Sequence, residues 1–318
     1  RRPAGRLQTG RYLQLRRYML PTGIVQPLQA PSRPGSGTER LINHLLHRLR
    51  PVFGKGLFGL AATEFLAFGL KQAYACIFGG LLLAIILLTR FVYPEDAALS
   101  RYDFLFLAAL GLQIAMLATR LETLDEARII VIFHVVGTVM EIFKTSAGSW
   151  VYPEESLFRI GDVPLFTGFM YASVGSYLAR VSRIFHFAYS GYPPLWTTWL
   201  FALAIYVNFF SHHFIIDLRL GLFVLLFLLF GRTWVHYSVF RYRHKMPLVL
   251  GFFLVALFIW IAENIGTFAR ARQYPDQADA WTLVSIAKLN AWVLLMIISF
   301  VLVTLVNRPK RESFAEKA

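Results

Sequence analysis

One cysteine, Cys76, occurs in 318 residues. A lone thiol forms no disulfide within its own chain and builds no thiolate metal cluster. Lying inside an apolar run, it reads as a small packing residue. Acidic residues are also scarce, 18 against 32 Lys and Arg, which leaves a formal net charge of +14. Catalytic signatures of fixed spacing are missing: there is no HExxH, no Gly-rich phosphate loop and no serine nucleophile elbow. ATP-driven work and serine hydrolysis are therefore disfavoured, and neither a cofactor nor a metal is expected. The basic N-terminal stretch lacks the apolar core, roughly 7 to 15 residues long, of a secretory signal.

Apolar residues are plentiful. They make up 57% of the chain, with 16% charged and a mean hydropathy of +0.54, against roughly 45–50% apolar in a soluble domain. The expected fold class is all-α, a polytopic membrane helix bundle of about eight transmembrane helices. The positive charge does not point to nucleic acid, because it sits in the tail and in alternate loops, where it reports orientation.

Residues 1–40 read as a basic, disordered cytoplasmic tail. They open on Arg1, so either the chain is processed or its start lies at Met19. Residues 41–70 suit an interfacial amphipathic segment; its Glu64 and the following Lys71 either pair across two turns or, preferred, are surface ions. Residues 71–307 form the transmembrane bundle and 308–318 a short cytoplasmic tail. The apolar runs lie near 72–92, 103–119, 129–147, 164–185, 195–214, 218–235, 247–268 and 282–306, each near the length that crosses about 30 Å of hydrocarbon. The fifth and sixth must form a tight hairpin near Asp217 and Arg219. Arg120, Arg128, Arg180, Arg183, Arg232, Arg241, Arg243 and Lys245 fall on the side of both termini, while Glu95, Asp96, Glu154, Glu155, Asp162, Asp217, Asp276 and Asp279 fall opposite, with Arg101, Arg159, Arg219, Arg270 and Arg272 among them. Both termini are therefore expected in the cytoplasm. Small residues at helical spacing, Ala73–Cys76–Gly80–Ala84 and Gly168–Ala172–Gly175–Ala179, read as close-packing faces.

The third run carries His134, Glu141 and Lys144 at membrane depth. Seven residues is nearly two helical turns, so His134, Glu141 and Gly148 share a line, with Gly137 and Lys144 on one flank. A charge at that depth costs roughly 2.5–3.5 kcal/mol on insertion scales, so this face should look at protein or a cavity. With the orientation above, Glu141, Lys144, His212, His213, Glu263, Asn264 and Lys288 come to one height in the outer half. Glu141, His134, Glu263 and His212 are the candidate catalytic residues: Glu141 the proton donor, kept protonated by burial, Glu263 and a histidine the base or relay, and His134 the next relay inward. Lys144, Tyr152, Tyr171, His213, Asn264 and Lys288 are the candidate binding residues. His212 and His213 point about 100° apart on a helix, so at most one should face the cavity. A metal set of His134, Glu141, His212 and Glu263 lacks any recognised ligand spacing.

FGLKQAYACIFGG from Phe68, HVVGTVMEIFKTSAGSWVYPE from His134, VPLFTGFMYASVGSYLAR from Val163 and HFAYSGYPP from His186 resemble the YoaT-like family of bacterial integral membrane proteins over roughly residues 55–306. The resemblance implies a multi-pass bacterial inner-membrane protein and brings no catalytic residues. A shorter pattern, Gly137-x3-Glu141-x6-Gly148-x3-Tyr152 followed by Val163-Pro164-Leu165, is similar to the Glu-bearing helix of membrane carotenoid hydratases and, more loosely, of lycopene-cyclase-type proteins. It implies that Glu141 corresponds to a membrane-embedded acid acting on polyene lipids. Three functions stay open: a lipid- or isoprenoid-active acid–base enzyme, which is preferred, a proton-coupled small-molecule transporter, and a structural or partner-binding membrane protein. The expected partners are the bilayer and a lipid or small-molecule ligand.

Overall fold

The computed structural model describes residues 26–27, 37–53 and 56–310, so the expected tails over 1–40 and 308–318 lie almost wholly outside the described residues. The fold is all-α in bulk. Ten helices occur among the described residues: α1 (Gly37–Phe53), α2 (Leu57–Ala75), α3 (Ile77–Val92), α4 (Arg101–Ala118), α5 (Leu124–Ser146), α6 (Phe166–Ile184), α7 (Leu195–Ser211), α8 (Arg219–Phe230), α9 (Leu248–Phe268) and α10 (Lys288–Val306). Four of them, α4, α5, α9 and α10, are long and apolar enough to cross a membrane, and α2 with α3 makes a fifth if a pair bent by 67° counts as one span. The break falls at Cys76, whose N–H bonds back to Gln72 and Tyr74 and closes α2. Helix α7 has 17 residues and α8 only 12, lengths of about 26 and 18 Å at 1.5 Å per residue.

The sixth apolar run does not stay helical to residue 235. It turns at Gly231 and continues as a strand, because an apolar run by itself does not distinguish helix from buried strand. Strands β1 (Gln26–Pro27), β4 (Ala188–Ser190), β5 (Trp234–Ser238) and β6 (Tyr242–Pro247) form an antiparallel sheet in the order β1-β6-β5-β4, and β2 (Arg159–Ile160) pairs with β3 (Val163–Pro164) elsewhere. Register pairs Ser190 with Trp234 and Trp234 with Pro247. The start of α7 and the end of α8 therefore lie at the sheet end of the bundle, and the turn between these helices lies at the opposite end. That turn is the expected tight hairpin. The Asn208 side chain accepts from the Leu218 N–H at 3.0 Å and donates to Asp217 at 3.3 Å.

Helix α6 packs on α5 through its small residues. A Cβ added at Gly175 would sit 2.7 Å from the Phe133 ring, so the backbones approach as the spacing predicts. On α3 the close contact is made by Gly79 against Ser173, while Gly80 has open space around it.

Two sets of charges expected at the surface are instead buried. Arg180, read as a cytoplasmic loop charge, is 0% exposed and donates to Glu122 at 2.8 Å; Glu122 also accepts from Ser176 at 2.9 Å. Arg183 reaches Glu126 at 3.0 Å, and Glu126 closes the capping box with Thr123 that starts α5. Glu64 and Lys71 are buried too. Glu64 accepts from the Arg241 N–H at 2.7 Å and Lys71 donates to the Val239 carbonyl, which ties α2 to the β5–β6 turn. Periodicity places a charge on a helix face but does not reveal what covers that face.

Candidate functional site

Helix α5 ends because Gly148 takes φ +70°, a left-handed conformation that glycine adopts without strain, and the Ser149 N–H returns to the Lys144 carbonyl at 2.9 Å. Past the end of α9, Arg270 takes φ +54° and the Ala271 N–H bonds Gly266 at 2.9 Å. The two emerging segments then meet. Val151 and Gln273 exchange a pair of backbone hydrogen bonds, each 2.9 Å. In extended backbone, side chains alternate. The neighbours of that bridge, Trp150 and Tyr152 on one segment and Arg272 and Tyr274 on the other, therefore project to the same side.

What they meet there is Glu141 of α5 and Glu263 of α9. Glu141 is 1% exposed. It accepts from Trp150 Nε1 at 2.7 Å, from the Tyr171 hydroxyl at 2.7 Å and from the Tyr152 hydroxyl, with Arg272 Nη1 at 3.6 Å. Glu263 accepts from Arg272 Nη2, the Tyr274 hydroxyl and Trp292 Nε1 of α10. One buried guanidinium thus bridges two buried carboxylates, with the rings of Trp150, Tyr274 and Trp292 at 5.0, 5.6 and 5.9 Å from its carbon. Burial alone disfavours the Arg272 charge, but Tyr274, Glu263 and Glu141 outweigh it and hold the guanidinium well above its ordinary value. The proton-donor role expected of Glu141 meets a setting of the opposite kind. Trp and Arg only donate, so its oxygens are engaged as acceptors.

The loops are staked from behind. Arg101 pairs with Glu154 and donates to the carbonyls of Ala269 at 2.9 Å and Arg270 at 3.0 Å, and the Tyr102 hydroxyl adds a bond to Arg270 at 2.8 Å. Asp103 accepts from Ser156 at 2.7 Å and from the N–H groups of Leu157 and Phe158 at 2.9 and 2.8 Å.

Beside the carboxylates lies a cavity of about 230 Å³, lined by Lys144, Tyr171, His212, His213, Arg219, Glu263, Arg272 and Lys288, with Trp150, Phe209 and Trp292 among its aromatic walls. Lys144 is buried; its Nζ lies 2.8 Å from His213 Nε2, 3.5 Å from His212 Nε2 and 4.2 Å above the Phe209 ring. A lysine only donates, so both Nε2 atoms accept and His212 Nδ1 donates to the Asn208 carbonyl at 2.9 Å. Both histidines line the cavity, contrary to expectation: His212 caps α7 in helical backbone, and His213 is the first residue past that cap. Lys288 Nζ stands 2.9 Å over the Tyr274 ring. Neither lysine forms an ion pair among the described residues, whereas Arg219 pairs with Asp217 and Arg272 with Glu263.

The structure thus gathers Glu141, Glu263, Lys144, Tyr171, His212, His213 and Lys288, with Tyr152 attached through Glu141. It leaves out two expected members. His134 lies two turns along α5, its ring 4.7 Å from Phe169 and against Gly168, with Nδ1 buried and without a hydrogen-bond partner among the described residues. Asn264 turns away from the cavity, accepting from the Val284 N–H at 2.8 Å and donating to the Trp260 carbonyl at 2.8 Å. The imagined metal set fails with His134; no group of three or more His, Cys, Asp or Glu suited to a metal occurs among the described residues. Trp150, Arg272, Tyr274 and Trp292 were missed. The alternating Trp150-Val-Tyr152 and Arg272-Gln-Tyr274 carried a signal, but Arg272 was read as an outer-loop charge.

Comparison with known proteins agrees with the early resemblance. The family described as "Protein of unknown function (DUF817)" matches residues 64–300. The chain is also 42% identical over 253 residues to "Uncharacterized protein YoaT" of Bacillus subtilis (strain 168), covering 80% of this chain and 95% of the relative. No solved structure matches.

Proposed function

The chain belongs to the DUF817 family, and from that premise we propose that it is a multi-pass membrane protein whose outer cavity binds an anionic group. One observation carries this reading. Lys144 and Lys288 face the cavity with no ion pair among the described residues, while the nearby carboxylates are engaged by Arg272 and by aromatic donors. An ammonium withdrawn from water needs a counter-charge, and an anion bound in the cavity supplies one.

In this reading the eight expected runs enter the bacterial cytoplasmic membrane, six as full crossings with α2–α3 counting once, and α7 and α8 as a hairpin that stops short of the outer face, with both termini inside. The support is charge: Arg232, Arg241, Arg243 and Lys245 cluster at the sheet end, and Glu154, Glu155, Asp162, Asp276 and Asp279 lie in loops expected at the cavity end. Acid–base chemistry with Glu141 as proton donor loses support to a role for Glu141 in holding the cavity wall. Lys144, Lys288, His212 and His213 remain as the groups that would contact the ligand.

The test is a titration of inorganic phosphate into the purified protein, followed by tryptophan emission, since Trp150 and Trp292 line the cavity. A saturable change that the Lys144→Met/Lys288→Met pair weakens at least tenfold supports the reading. An identical titration of the pair, with both proteins folded, contradicts it.

A further inference from the structure

The segment that joins α7 to α8 starts and ends in the cavity wall, at His212 and His213 on one side and at Arg219 on the other. Between them come Phe214, Ile215, Ile216 and Leu218, exposed by 78, 61, 82 and 56%, and Leu220 follows at 84%. Only Asp217 is polar, and it turns back to Asn208 and Arg219. So dense a run of exposed apolar side chains marks a surface that meets something other than water. Helix α8 indicates what that is. At 12 residues it is about 18 Å long, some 12 Å short of a hydrocarbon core of about 30 Å. With its far end fixed at the sheet, the turn above it stops inside the apolar zone. The cavity therefore opens beside this turn, sideways, toward lipid.

We infer that the cavity takes the headgroup of an anionic amphiphile, a phosphate or carboxylate carried on an acyl or isoprenoid tail, which enters from the bilayer past the 214–218 turn. The inference rests on the anion-binding reading and adds the ligand's other half. Charge complementarity selects the head: Lys144, Arg219, Arg272 and Lys288 line the space against a single lining carboxylate, Glu263. Size excludes the tail. A cavity of about 230 Å³ falls below the roughly 300–1,000 Å³ of pockets that enclose a whole drug-sized ligand, so a long chain must lie outside. The aromatic surface next to the opening, Phe143 with Phe210 at 4.7 Å and Phe214 at 6.5 Å, offers it an apolar bed continuous with the turn.

The experiment uses the full chain purified in a non-ionic detergent and compares dioctanoyl phosphatidic acid, dioctanoylglycerol and sodium phosphate by tryptophan emission. Phosphatidic acid should half-saturate at a concentration at least tenfold below phosphate, and the uncharged diacylglycerol should give no change. Phe214→Ser/Ile216→Ser should raise the phosphatidic acid midpoint severalfold and leave that of phosphate where it was. Equal midpoints for both anions, unmoved by the turn variant, would assign the cavity to a free small anion and overturn the inference while the anion-binding reading stands. No response to either anion overturns both. A turn variant that splits a dimer without moving the phosphatidic acid midpoint assigns the turn to a second copy of the chain and overturns the lateral route.

Discussion

Glu141 on α5 and Glu263 on α9 share one guanidinium, that of Arg272, although they stand 122 positions apart in the chain. The bridge forms because the loops after both helices pair at Val151 and Gln273 and aim Arg272 between the two carboxylates. Removing one partner from a buried ionic cluster strands the others, at about 3–5 kcal/mol. Arg272→Met is expected to lower the thermal midpoint strongly, and Arg272→Met/Glu263→Gln to recover part of that loss. Additive losses in the double variant would show that the pair is uncoupled.

Glu141→Gln is the variant that separates a wall from an acid. As an acceptor from Trp150, Tyr152 and Tyr171, Glu141 should cost about 1–3 kcal/mol when replaced, seen as a lower unfolding midpoint. Phosphate affinity should change less than threefold. Affinity lost with stability unchanged would place Glu141 in contact with the ligand instead.

Gly137 sets the distance between α5 and α6 at the site. A Cβ there would lie 2.7 Å from the Tyr171 side chain that bonds Glu141. Gly137→Ala is expected to destabilise by about 1–3 kcal/mol through overpacking. Gly80→Ala, on α3 with open space around it, should be neutral or gain up to about 1 kcal/mol from helix propensity. Thermal unfolding of the two variants side by side checks the contrast.

Much of this was legible in the chain and part was not, for identifiable reasons. Apolar runs marked the helices from α3 onward, but α2 fell in the stretch read as interfacial; heptad spacing put Glu141 and Lys144 on the face that matters. The layer of His212, His213, Glu263 and Lys288 was expected from charge bias, and these residues line one cavity. The span boundaries slipped where a run changed conformation without changing polarity, as at Gly231, and the second histidine was misaimed because His213 lies past the cap of α7. Arg180 and Arg272 were read as loop charges, since burial of an arginine depends on a partner that sequence distance conceals: Glu122 for one, Glu141 and Glu263 for the other.

Diffraction from crystals of the protein soaked in bromide tests the anion cavity most directly. An anomalous peak inside the cavity within contact distance of Lys144 or Lys288, absent in Lys144→Met/Lys288→Met, is the predicted result. Bromide confined to the outer surface, with the cavity empty in the unsubstituted protein, would contradict it.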